Sequence, residues 1–279
     1  MRTQTCSNLT FALLVLLAAL VAAPCARAHE FRLAAWSDST QPGMVTVRAG
    51  VGEGLATAWR PFDRSRAVRF IARTSRTFDL TRLATEGDTI WARLSNPDPG
   101  GTMLVYESDF ASITLEADRF DAYLAEDGLD DVLATRRAGA RGPGRERYRR
   151  CAKVWLAGSE PARATVPVGS ALEIVPLTLP GDAASLTVRV LWQGRPLERA
   201  LVHAWCRTSG TIGPIEPAWS ARTDARGEVT LVGLGSGEWL LGTVHMVPSR
   251  DRDAADWEST WASLVFFRSS GLEAARAAR

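Results

Sequence analysis

The chain has 279 residues, 46% of them hydrophobic and 23% charged, with a formal net charge of +2. That balance excludes a disordered chain, a collagen-like repeat and a multi-span membrane protein. Arg2 and Arg27 fall in an opening stretch that has no acids. The remaining 31 basic and 31 acidic residues cancel, so no global field draws the protein onto nucleic acid.

Arg2 supplies a positive start, and Leu9 to Ala23 is an uncharged run of 15 residues. Pro24 breaks the run, and Ala26-Arg27-Ala28 has the A-x-A form of a cleavage site. Residues 1–28 therefore read as a secretory signal peptide. The run is shorter than the ~20 residues a spanning helix needs. The expected mature protein is exported to the periplasm, begins at His29 and does not itself span a membrane.

From Glu30 to about Leu115 short β-like runs alternate with turn signals. Val45, Val47 and Ala49 share one face, further runs cover Ala67–Ala72, Thr89–Leu94 and Thr102–Ser108, and Asn96 to Gly101 separates the last two. The spacing predicts an antiparallel sandwich. At Glu116 the pattern becomes helical. Phe120, Tyr123 and Leu124, then Leu129, Val132 and Leu133, predict two short helices broken at Asp127-Gly128. A strand follows at Tyr148–Leu156, with Arg149 and Lys153 on its polar face. Another at Leu172–Leu177 is expected to return to the first sheet.

Beyond a linker at Pro180-Gly181-Asp182, the alternation of Leu186, Val188 and Val190 and of Ala200, Val202 and Ala204 predicts a second β unit. Gln193-Gly194-Arg195-Pro196 and Thr223-Asp224-Ala225-Arg226-Gly227 mark its turns. This order resembles the prealbumin-like or Cna-B-like sandwich. The expected fold is mainly β: two antiparallel sandwich-like units with a short helical insertion between them. The division is 29–182, with the insertion near 116–138, then 183–269 and a tail at 270–279.

Export leaves Cys151 and Cys206 in an oxidising compartment, where they can form at most one internal disulfide. The sequence leaves that pairing open. The mature chain has three histidines, His29, His203 and His245. Cleavage after Ala28 would make His29 the first residue, so its α-amine and ring Nδ1 become a chelating pair. Both lose their protons near neutrality. Two nitrogen donors suit divalent Cu, Ni or Zn better than harder cations. Alternation places His245 on one face with Trp239, Leu241 and Thr243, and His203 shares a face with Leu201 and Trp205. Met246 is a weak soft-donor candidate, with a core position the favoured reading. Asp256 and Glu258 are candidates to orient an imidazole, as metal-bound histidine requires. No G-x-S-x-G, H-E-x-x-H or carboxylate pair suggests an enzyme.

Four stretches resemble the periplasmic components of bacterial nickel/cobalt uptake systems, a family also catalogued as a domain of unknown function. They are His29-Glu30-Phe31; Tyr106-Glu107-Ser108 with Leu115 to Arg136; Arg145 to Gly158 with Leu172 to Pro176; and Val244 to Phe267. The resemblance implies a periplasmic protein that binds Ni²⁺ or Co²⁺, with Cu²⁺ or Zn²⁺ as the other ions considered, and passes it to a membrane metal transporter. It implies that His29 and His245 hold the metal. His203 joins them because nitrogen donors are so few. The alternatives are a Cna-B-like binding or scaffold module for protein or glycan, and a copper-handling periplasmic protein.

Overall fold

The computed structural model describes residues 30–37, 41–95, 97–139, 142–178, 185–208 and 216–269. The predicted leader, His29, the linker at 180–182 and the tail lie outside the described residues. Eight strands come first: β1 (Glu30–Ser37), β2 (Met44–Glu53), β3 (Ala56–Arg60), β4 (Ala67–Arg73), β5 (Thr77–Asp79), β6 (Ala92–Ser95), β7 (Thr102–Ser108) and β8 (Ala111–Leu115). Two helices follow, α1 (Ala117–Glu126) and α2 (Asp130–Ala138). The rest is again β: β9 (Gly144–Leu156), β10 (Leu172–Pro176), β11 (Ser185–Trp192), β12 (Arg195–Pro196), β13 (Leu201–Arg207), β14 (Trp219–Arg222), β15 (Glu228–Val232), β16 (Gly237–Pro248) and β17 (Trp257–Arg268). The protein is mainly β and of the sandwich class, with the two short helices where the apolar spacing places them.

The strands form three sheets. A nine-stranded sheet runs β14-β13-β16-β17-β9-β7-β4-β5, with β8 also on β9. A sheet of β1, β2, β3 and β6 packs on one face, and a sheet of β10, β11, β12 and β15 packs on the other. The first core joins Leu33, Val47, Phe62 and Trp91 to Leu104, Val154, Leu240 and Val265. The second joins Ile174, Val188 and Leu231 to Val105, Val202, Leu241 and Leu264. Strands covered on both faces need apolar residues at nearly every position. That requirement explains the apolar runs Trp239–Leu241 in β16 and Leu264–Phe266 in β17.

Three expectations are corrected by this arrangement. β9 and β17 pair in parallel, from Glu146↔Trp257 to Val154↔Val265, in an otherwise antiparallel sheet. β10 does not return to the first sheet but pairs with β11. Lys153 is not on a polar face. It is buried between layers, with Nζ 2.7 Å from Glu173 Oε1, and that carboxylate also accepts from the N–H groups of Val168, Gly169 and Ser170. A buried lysine requires such a partner, because an uncompensated charge in the core is prohibitive.

The cysteines are both free. They stand on β9 and β13, with β17 and β16 between. Three interstrand spacings of ~4.8 Å alone put them at least about 14 Å apart, beyond the ~7 Å limit for a disulfide.

Candidate functional site

The first described residue, Glu30, opens β1 against the central sheet. Beside it is a crevice of about 10 Å³ lined by Glu30, Asp127, His203, Trp205, Gly242 and Trp261, among others. Gly242 makes the room: a Cβ there would lie 3.2 Å from the Trp205 ring and 3.8 Å from Glu30 Cγ. The volume is about that of one water-sized sphere. The crevice accommodates a single small species, not an organic molecule.

Asp127 reaches the crevice from the end of α1. Phe120, Tyr123 and Leu124 hold that helix on the sheet, packing with Val244, Met246 and Trp257. Gly128, at φ 65°, turns the chain, and Leu129 N–H closes onto the Leu124 carbonyl at 2.8 Å. A residue with a Cβ is disfavoured at such a φ. The Arg222 guanidinium donates to the Gly128 carbonyl and to Asp130, tying the turn to β14. Helix C-termini carry partial negative charge, so α1 delivers a carboxylate and a cation-favouring dipole together.

The electrostatics are unusual. Asp127 is 7% exposed, and its Oδ2 is buried without a hydrogen-bond partner. Burial first, then the nearby charges of Glu30 and Glu126, push its carboxyl well above the usual range. Burial raises Glu30 from 4.5 to about 7, although its Oε2 accepts from Gly54 N–H at 2.7 Å. Glu146 is also raised by burial, against hydrogen bonds from Ser259 and from Tyr123 at 3.2 Å. Arg150 is the positive charge that all three acids feel. Its guanidinium lies over the rings of Trp261 (4.6 Å) and Tyr148 (5.1 Å). Three inward carboxyls around one guanidinium leave a surplus of negative charge whenever all ionise.

His203 lines the same crevice. Its Nδ1 is 2.7 Å from Ser220 Oγ, the Glu126 backbone hydrogen-bonds the ring, and burial lowers its pKa, favouring the neutral imidazole that metals bind. His245 is elsewhere. His203 is paired with Gly242, three residues before His245 on β16, so strand alternation sends the two rings to opposite faces. The His245 ring stands edge-on to Trp192 at 4.8 Å. It lines a second crevice, of about 100 Å³, where β13 begins; Asp127 lines that one too. Glu30, Asp127 and His203 thus line one crevice, and His245 lies apart from His203. Met246 is buried core. Asp256 is taken by Arg145 (2.8 Å), and Glu258 accepts from Ser249, so neither orients His245. Among the described residues no three His, Cys, Asp or Glu converge on one point.

Sequence reasoning missed Asp127 and Glu30. The only signal was Asp127-Gly128, which reads as a helix break. That this break would point a carboxylate at the start of β1 depends on how α1 docks.

A three-layer β protein with a buried acid cluster beside its first strand defines a class without defining an activity. The chain belongs to the family described as a domain of unknown function (DUF4198), whose model matches residues 26–247. The match takes in Glu30, Asp127, Glu146, Arg150 and His203, and ends before β17. No curated protein matches the chain.

Proposed function

We propose that this protein is an extracytoplasmic carrier of a divalent transition metal, Ni²⁺ or Co²⁺, that passes its ion to a membrane transporter. The observation that carries the reading is an ion-sized crevice lined by Glu30, His203 and Asp127, the last of which has a buried oxygen without a hydrogen-bond partner. Negative charge confined there calls for protons or a cation, and a dication offsets the surplus of two carboxylates over Arg150.

The donor set follows from covalent connection. Residue 29 is covalently joined to Glu30, which borders the crevice. With residues 1–28 removed, His29 supplies an α-amine and Nδ1, His203 a third nitrogen and Asp127 an oxygen. Mixed nitrogen and oxygen donors favour late first-row ions over Mg²⁺ or Ca²⁺. His245, on the far face, is outside this shell. The resemblance to nickel/cobalt uptake components supports the choice of ion and the transporter as recipient.

Calorimetric titration of Ni²⁺ and Co²⁺ into protein beginning at His29 tests the reading. Adding one residue before His29 converts the amine to an amide and should weaken binding at least tenfold, as should Asp127→Asn. Equal affinity in all three proteins would refute the chelate.

A further inference from the structure

A large cleft in the described part of the molecule is remote from the acid cluster. It measures about 610 Å³ and opens between the β4–β5 hairpin, β6 and the segment leading into β7. β5 is an edge of the central sheet and β6 an edge of the first sheet, so the cleft is the mouth where these two layers part. Ligand pockets of this size lie where layers separate and combine apolar walls with a few polar groups.

Its floor is the end of the first core, where Ala72 and Leu80 are buried and Leu94 packs against them. Its walls carry Phe78 and Leu83, which are 51% and 64% exposed. Two large apolar side chains left in water beside an apolar floor are a binding feature more than a packing one. Arg76 and Arg93 line the same cleft. Among the described residues neither guanidinium has a hydrogen-bonding or ion-pairing partner, whereas most of the protein's other arginines do. The one lining carboxylate, Asp98, is already engaged by Arg163 at 2.9 Å and by Gly100 N–H. Thr102 also lines the cleft, and its hydroxyl is buried without a partner.

From these observations we infer that the cleft binds an amphiphilic organic anion, a carboxylate attached to an alkyl or aryl body. Phe78, Leu83 and the core floor take the apolar body, and the carboxylate meets Arg76 and Arg93. A neutral molecule of the same shape gains the burial and forfeits the charge-assisted hydrogen bonds, which are about twice as strong as neutral ones. An organic cation encounters two unpaired guanidiniums. The site would thus select by charge among molecules of equal hydrophobicity. It is independent of the metal reading.

The test uses the full mature protein and three probes of one chain length: octanoate, octanol and octyltrimethylammonium. Octanoate should bind saturably and shift the backbone amide resonances of Phe78, Leu83 and Thr102, with octanol at least tenfold weaker and the ammonium not bound. The double substitution Arg76→Ala/Arg93→Ala alters two exposed side chains and so preserves the fold. It should weaken octanoate at least tenfold and abolish the preference over octanol. Equal affinity for the three probes, shifts confined to other regions, or unchanged binding by the double variant would overturn the inference. So would the absence of saturable octanoate binding up to about millimolar concentration.

Discussion

Glu30 offers the most direct measurement of the strain in the acid cluster. Its carboxyl is raised from 4.5 to about 7, chiefly by burial. At about 1.4 kcal/mol for each tenfold change in proton affinity, that displacement corresponds to about 3 kcal/mol. The sign follows from proton binding. Between pH 4.5 and about 7 the native state holds a proton that the unfolded chain has released, so stability falls as pH rises through this window. Above about 7 the loss is complete. Glu30→Gln removes the titration and keeps an oxygen to accept from Gly54 N–H. Denaturant unfolding of the metal-free protein at pH 4.5 and pH 8 should therefore show the variant gaining on the wild type by about 3 kcal/mol between the two. Saturating Ni²⁺ should close most of that gap, because the bound ion replaces the proton as counter-charge. If the stability difference between variant and wild type is the same at both pH values, the burial argument for the cluster is wrong.

Other expectations concern separate parts of the molecule. His203→Ala should raise the Kd for Ni²⁺ by at least ~10-fold, the lower end of what even an indirect metal partner costs. His245→Ala should leave it within about twofold, and calorimetry on the two variants compares them directly. Lys153→Met leaves Glu173 buried without its counter-charge and should cost about 3–5 kcal/mol in urea unfolding, with part recovered in Lys153→Met/Glu173→Gln. Gly144→Ala places a Cβ 2.2 Å from Phe120 Cγ. That crowding under α1 should destabilise by about 1–3 kcal/mol and lower the thermal midpoint.

The sequence by itself determined the mainly β class, the two helices and most strand positions, because these follow from local periodicity. Val45, Val47 and Ala49 do lie on one face, Phe120, Tyr123 and Leu124 do pack inward, and the alternation of Val202 with His203 holds. His203 and His245 were also legible as scarce nitrogen donors, but their opposite faces follow from the pairing of His203 with Gly242. Only the tertiary structure decided what each face meets. Lys153 reads as solvated until β10 brings Glu173 over it, and the parallel pairing of β9 with β17 joins residues about a hundred apart along the chain. Asp127 carries no local mark beyond a turn. It becomes a candidate ligand because docking of α1 strips its oxygen of water and sets it beside Glu30, and desolvation depends on neighbours in space, which a pattern along one chain does not encode.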